Sequence, residues 1–399
     1  MDLDSYLRSH RLDSERLAAF IREKFNPVDG EVIYVTGSLL EGLGNRQSDL
    51  DVYLLTDREM GDRLINDSLA VFSLDGATVD IEVVSRCKVD EMLARLASLP
   101  SDEPRDHRIS ATAFTPTELK FLHNLRIGLP LGNEVDFQEV VSKVDARRLS
   151  RVLFDHALAW MDSLHVDIIG LLEVRDYSSA RFLLQHFLSY LAAALLAATG
   201  NTNPAEKWRI RKLMDLQLST NGFCLPGGLE MADAVAALDG LYLRCESDRR
   251  SVHDQLGRLL QLAYIIVPWG QRRFFANESL LPVVEIKTNR LMMPDVSELD
   301  ERNLAHTVLG KLELSCRIRY GDGKYVLSVI GEGGTIALNE FAYELLLYFD
   351  GVTFESQVIH ILSTLTSAPP VDLADAIRDF QLVLESRGLI QSLENEVVS

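Results

Sequence analysis

Asp49 and Asp51 stand two residues apart in the run Ser48-Asp49-Leu50-Asp51-Val52, and ten residues separate Asp49 from Gly37-Ser38. On a strand alternate residues share a face, so both carboxylates point one way while Leu50 and Val52 point into a core. Like charges held that close repel unless a cation sits between them. Hard divalent ions such as Mg²⁺ take carboxylate oxygens. Val79-Asp80-Ile81-Glu82 repeats the pattern on a later strand. Either Asp80 or Glu82, placed beside Asp49 and Asp51, would complete a three-acid cage for two metal ions about 4 Å apart. Gly37-Ser38 sits where a strand ends and Leu39-Leu40-Glu41 could open a helix. A glycine lets the backbone approach a phosphate, and helix-start N–H groups with the serine hydroxyl can hold its oxygens. An anion cradle beside a metal cage suits a nucleoside triphosphate. The matching reaction is in-line attack on the α-phosphorus with pyrophosphate leaving. An Asp-Leu-Asp run alone would be no more than an exposed strand of alternating acids; the glycine-serine pair and the further acidic strand separate the two readings.

The elements that must position these residues are readable from periodicity. Residues 14–25 have apolar positions at helical spacing, with Ser14 as the expected cap and Asn26-Pro27 as the stop. Strands are expected at 32–35, 50–55 and 79–84, with helices at 58–69 and 117–125. From about 145 to 267 long apolar-periodic stretches (149–164, 177–198, 205–218, 229–244 and 252–264) predict a helical bundle. The most apolar stretch, the dozen residues at 187–198 with Ser189 and Tyr190 among them, is too short for a membrane span and reads as a core helix. Residues 312–316 and 325–329 are expected to pair as a hairpin across Gly321-Asp322-Gly323. A short strand at 335–338 and helices at 340–349, 354–365 and 373–386 follow.

The chain has 399 residues, 47% of them hydrophobic and 25% charged, which excludes disorder as the main state and predicts two or three domains. Lys and Arg number 40 against 59 Asp and Glu, a net charge of −19. Phosphate polymers and anionic membranes would be repelled, so neither nucleic acid nor a membrane is an expected partner. The four cysteines are far apart and suggest neither a zinc site nor a disulfide framework. With no secretion-signal layout at the N-terminus, a cytoplasmic location is expected.

The first 135 residues or so resemble the nucleotidyltransferase superfamily of the DNA polymerase beta type. The pattern is Gly37-Ser38, a spacer of ten, Asp49-Leu50-Asp51-Val52 and an acid on a later strand. The resemblance implies Asp49, Asp51 and Asp80 as catalytic metal ligands for a pair of Mg²⁺ ions, with Glu82 the close rival for the third place. ATP or another nucleoside triphosphate would be the substrate. Ser48 joins Gly37 and Ser38 among the expected nucleotide contacts. Lys207-Trp208-Arg209-Ile210-Arg211-Lys212 is a basic cluster in an acidic chain. On one helix Lys207 and Arg211 would share a face at i,i+4. They read either as a solvated face or as contacts to the triphosphate.

Residues 308–392 resemble the PqqD-like domain: Leu338-Asn339 ends a strand, Asp350-Gly351 a helix, Thr353 starts another, and Gly388-Leu389-Ile390 closes the last. The resemblance implies capture of a precursor peptide's leader as an added strand. The receiving edge would be Thr335, Ile336, Ala337 and Leu338, with a helix wall at Phe380, Val383 and Leu384. The expected fold class is an α+β multidomain chain. A nucleotidyltransferase α/β module spans 1–140, a helical bundle 141–275, a linker 276–307, and a winged-helix-like PqqD-type domain 308–399. The expected function is transfer of a nucleotidyl group, AMP from ATP, to a ribosomally made precursor peptide in natural-product biosynthesis. The alternatives are a small-molecule transferase of antibiotic-resistance type and a non-catalytic, nucleotide-sensing peptide binder. Nucleotidylation of a protein, as in toxin systems, is a further alternative.

Overall fold

The computed structural model describes residues 1–58, 69–100, 102–103, 106–220, 222–242, 246–275, 308–331, 335–366 and 368–391. The chain mixes helix and strand and divides into two compact units. One comprises residues 1–101, 109–153 and 200–208; the other comprises 102–108, 154–199 and 209–399.

The first unit opens with α1 (Leu3–Ser9) and α2 (Ser14–Phe25). Asp2 and Asp13 cap them, each carboxylate accepting from a backbone N–H at 2.8 Å. The cap of α2 is therefore Asp13, one residue before the expected Ser14. A carboxylate caps as well as a hydroxyl does, and its charge also favours the positive end of the helix dipole. Five strands follow: β1 (Val32–Thr36), β2 (Leu50–Leu55), β3 (Leu69–Leu74), β4 (Ala77–Val84) and, later, β5 (Leu129–Pro130). They form one sheet in the order β3-β4-β2-β1-β5, antiparallel except for the β2–β4 pair. The helix expected over 58–69 lies outside the described residues at 59–68, and its last residue, Leu69, opens β3 instead. Asp75 and Gly76, with φ of 49° and 86°, join β3 to β4. Two successive positive φ values make the turn that matches strand twist, so the hairpin is tight.

Helices α3 (Arg86–Ser98), α4 (His107–Ala111), α5 (Pro116–Ile127), α6 (Glu134–Val141) and α7 (Ala146–Glu173) continue the chain. The sheet is buried on both faces. Ile33, Val35, Val52, Leu54 and Ile81 pack against Leu17, Ile21 and Phe25 of α2. On the other face Tyr34, Tyr53 and Leu55 pack against Val89 and Leu93 of α3 and Leu122 and Leu125 of α5. Alternation along β2 and β4 puts Asp51, Asp80 and Glu82 on this second face.

The second unit holds α8 (Tyr177–Ala198), α9 (Arg209–Ser219), α10 (Met231–Tyr242) and α11 (Arg249–Phe275). Among the described residues α8 alone is long and apolar enough to cross a membrane, yet it is mostly buried as the core helix of this unit. The linker expected at 276–307 lies outside the described residues. Beyond it come β6 (Lys311–Leu312), β7 (Cys316–Gly321), β8 (Lys324–Val329), β9 (Thr335–Leu338), α12 (Glu340–Leu346), α13 (Glu355–Thr366), α14 (Pro370–Ser386) and β10 (Ile390–Gln391). β7, β8 and β9 form an antiparallel sheet in that order, and β6 pairs with β10. The first hairpin strand is thus 316–321, not 312–316. Its turn is the two-residue Asp322-Gly323, with φ of 52° and 73°, which carries the strands right up to the loop. Cys87, Cys224 and Cys316 form no disulfide among the described residues.

Candidate active site

Asp51 and Asp80 are register partners across the parallel β2–β4 pair, and Tyr53 and Glu82 are the next partners on that face. Strands lie about 4.8 Å apart, so each pair of side chains stands side by side. Asp80 rather than Glu82 therefore adjoins Asp51. The Tyr53 hydroxyl hydrogen-bonds Glu82, and the phenol's pKa is held well above its ordinary value, by burial first and then by the Glu82 charge.

The electrostatics follow from this placement. Burial raises the pKa of Asp51; the Lys120 charge opposes that, Asp80 and Asp49 raise it further, and Lys207 lowers it. Asp80 is raised by burial and then by Asp49. Its Oδ1 is buried without a hydrogen-bond partner. Asp49 is exposed just before β2 begins. Among the described residues no three His, Cys, Asp or Glu side chains converge closely enough to hold a metal ion as they stand. The donor set nonetheless suits a hard divalent cation: two adjacent carboxylates, one with an orphaned oxygen, and a third acid at the rim. A cation between Asp51 and Asp80 would offset the repulsion and desolvation that raise their pKa values.

Gly37 ends β1 with φ of 88°, and a Cβ built there would overlap the Asp51 carboxylate. The position needs glycine on both counts. Gly37→Ala is expected to destabilise the chain by about 1–2 kcal/mol, from the left-handed backbone alone, and to displace Asp51. Guanidinium unfolding, run beside an activity assay, measures both effects.

No helix opens at 39–41. Leu40 N–H bonds back to Gly37 O at 3.1 Å and Leu43 N–H to Ser38 O at 2.9 Å, in a run of turns. Gly42, with φ of 69°, and Gly44, where a Cβ would overlap Leu39, keep the chain in that loop. Ser38 is half-buried within it. The Ser48 hydroxyl accepts from Asn45 N–H at 2.8 Å, so it shapes the loop that delivers Asp49.

Residues 200–208 belong to the same unit as the acids. Thr202 Oγ1 accepts from Arg126 Nε at 2.8 Å and lies 3.0 Å from His123 Nδ1, both on α5. Asn203 Nδ2 donates to Glu41. This stitching brings Lys207 within electrostatic range of Asp51. Lys207 sits in a 3₁₀ turn, Glu206–Trp208, with its ammonium 5.2 Å from the centre of the Trp208 ring. Arg211 is on α9 in the other unit and pairs with Asp215 at 3.6 Å. The two cations therefore do not share one helical face as expected, because the α-helix starts only at Arg209. Arg209 itself is buried on Ser189 and Tyr190. Lys120 on α5 is the cation that sequence reading passed over. Its helix was expected over 117–125 without any role for Lys120, and only the fold brings this exposed lysine within range of Asp51.

In the second unit β9 is an outer strand, paired among the described residues with β8 alone. Thr335 and Ala337 are exposed, Ile336 is half-buried and Leu338 is buried. On α14 Val383 is exposed and Phe380 meets Phe349 edge-to-face at 5.8 Å. Leu384 is fully buried in the core of the unit, so it supports the helix from behind and forms no outer wall.

No protein-family profile matches the chain, and no curated protein does. Among solved structures a nucleotidyltransferase-like protein from Exiguobacterium sibiricum 255-15 aligns over 63% of this chain and 74% of its own, at 13% identity and a TM-score of 0.37.

Proposed function

We propose that the first unit is a metal-dependent nucleotidyltransferase and that the second presents β9 to a peptide. The observation that carries the transferase reading is the Asp51–Asp80 juxtaposition beside Gly37: two partly desolvated like charges with an unpartnered oxygen, next to a strand end where only glycine fits. Asp51 and Asp80, with Asp49 swung in from the rim, would hold two Mg²⁺ ions. Bound there, magnesium would lower the pKa of an attacking hydroxyl and brace a triphosphate. Lys120 and Lys207 attract phosphate oxygens to the same place, and Gly37 and Ser38 let those oxygens approach backbone N–H groups. The side chains align the acceptor oxygen, the α-phosphorus and the departing pyrophosphate; the proton leaves with solvent or a neighbouring carboxylate.

The open side of β9 supports the peptide half. Its backbone groups, unpaired on that side among the described residues, can take an extended segment, with Ile336 as an apolar contact and Phe380 and Val383 as the proposed helix wall. Holding the leader there raises the core peptide's local concentration into the millimolar range. The nucleotide is AMP from ATP in this reading, and the acceptor is a ribosomally made precursor peptide.

The test is incubation of the full chain with Mg²⁺, each nucleoside triphosphate in turn and a short peptide encoded beside its gene, read by intact mass. A gain of one AMP on the peptide is the expected result. Tight ATP binding with no mass gain for any triphosphate would point to nucleotide sensing instead.

A further inference from the structure

A cavity of about 800 Å³ opens among α10, α11 and the backbone around Lys311 and Asp350, all in the second unit. Small-molecule sites fall in this size range. None of the acids or glycines of the candidate active site contributes to it. Two glycines help make the space. Gly240 on α10 and Gly257 on α11 line it without side chains, and a Cβ at Gly240 would meet nothing within 4 Å.

In a chain of net charge −19, the cavity has two cations, Arg258 and Lys311, that make no ion pair among the described residues. The Lys311 ammonium lies over Gly257, 3.4 Å from where a Cβ would stand, and its stem packs against Gly351. The two acids of the lining are engaged elsewhere. Asp350 accepts from the backbone N–H groups of Val352 and Thr353 and from the Thr353 hydroxyl, each at 2.8 Å. Asp254 faces Arg250 at 4.0 Å. Gln255, only 3% exposed, donates from Nε2 to Leu241 O at 3.1 Å and closes part of the wall. Leu241, Leu262 and Val352 add apolar surface.

We propose that this cavity binds a small carboxylic acid that carries a hydrocarbon group. Arg258 and Lys311 would hold the carboxylate, and the leucines and Val352 the hydrocarbon. The nearby Asp254 and Asp350 favour a single negative charge over the double charge of a phosphate.

N-acetyl-leucine and N-acetyl-phenylalanine carry both features and serve as probes of the full chain by titration calorimetry. At least one is expected to bind saturably, with its uncharged amide derivative about tenfold weaker or more. Lys311→Met, which keeps the stem, is expected to weaken the acid by about tenfold. Gly240→Leu should abolish binding, with an unchanged circular dichroism melt to show the fold intact. Absence of saturable binding by either acid, equal affinity for acid and amide, or indifference to Lys311→Met would overturn the proposal. Inorganic phosphate binding as tightly as the acids would overturn the carboxylate assignment.

Discussion

Asp51→Asn and Asp80→Asn are each expected to lower nucleotidyl transfer by about 10³-fold or more while leaving the fold as stable as before, or more so. Both halves of that expectation come from one geometry. The two carboxylates are register partners on adjacent strands, and burial with like charge raises both pKa values. A raised carboxylate pKa means the folded state keeps a proton that the unfolded chain has released. Stability from these groups is therefore fullest below the ordinary aspartate value of about 3.9 and declines as pH rises from there through the raised folded values. Asparagine is nearly isosteric, carries no charge and removes that decline. At neutral pH each variant should melt at or above the parent temperature, and its stability should fall less between pH 4 and neutrality. A structural acid would behave oppositely, because its removal leaves a partner exposed to desolvation without compensation. Asp49→Asn combined with Asp51→Asn should abolish transfer while leader binding in the second unit survives. Transfer that persists in Asp51→Asn, or a clear loss of stability in both single variants, would remove the basis for the transferase reading.

Why this pair was only partly legible in the sequence is a matter of range. Period-two alternation placed Asp49 with Asp51, and Asp80 with Glu82, on common faces, and strands at 50–55 and 79–84 are found at 50–55 and 77–84. Which acid of the later strand meets Asp51 depends on the β2–β4 register, a long-range property that no local pattern carries. β3 was not among the expected strands, and only its first residue, Leu69, overlaps the helix expected over 58–69. The signal that would have found it, Asp75-Gly76 between two strand-like runs, was there. The same turn chemistry at Asp322-Gly323 explains the shifted hairpin: Leu312, Leu314, Cys316, Ile318 and Tyr320 alternate without a break, so only the turn says where the paired stretch ends. The basic cluster singled out Lys207 but not its place near Asp51, and Lys120 was not singled out at all. The first depends on Thr202 and Asn203 fastening a return segment to α5 and Glu41, the second on which way α5 faces.

Asp162→Ala is expected to cost about 3–5 kcal/mol of stability, far more than any exposed ion pair of this chain. Asp162, on α7 within the second unit, pairs with Arg319, lies 3.5 Å from Arg317 Nη1 and lies 2.9 Å from His107 Nε2. Arg317 also donates to the Asp162 carbonyl at 2.7 Å and to His165 Nδ1 at 3.3 Å, and His165 Nε2 donates to Leu314 O at 2.7 Å. A backbone carbonyl can only accept, so His165 carries its proton on Nε2 and receives Arg317 on Nδ1. The Asp162 side chain is 22% exposed and those of Arg317 and Arg319 are 19% and 23%, so removing the carboxylate strands two largely desolvated guanidinium groups. By contrast Arg211 and Asp215 are 66% and 52% exposed, and Arg211→Ala should change stability by no more than about 0.5 kcal/mol. Acid should attack the same cluster in two stages. Burial pushes the His165 pKa down to about 4, so the folded state excludes a proton that the unfolded chain takes up. Stability from this group is present above the ordinary histidine value of about 6.5 and is lost as pH falls from there toward 4. Asp162, held far below the usual carboxylate range although burial opposes it, chiefly by Arg319 and then by His107 and Arg317, contributes stability that disappears only at lower pH. His165→Gln should remove the first stage and leave the second, with urea midpoints across pH 4–7 as the measurement. A parent protein whose midpoint is flat over that range, or an Asp162→Ala variant as stable as Arg211→Ala, would show that the cluster is not what fastens β7 to α7.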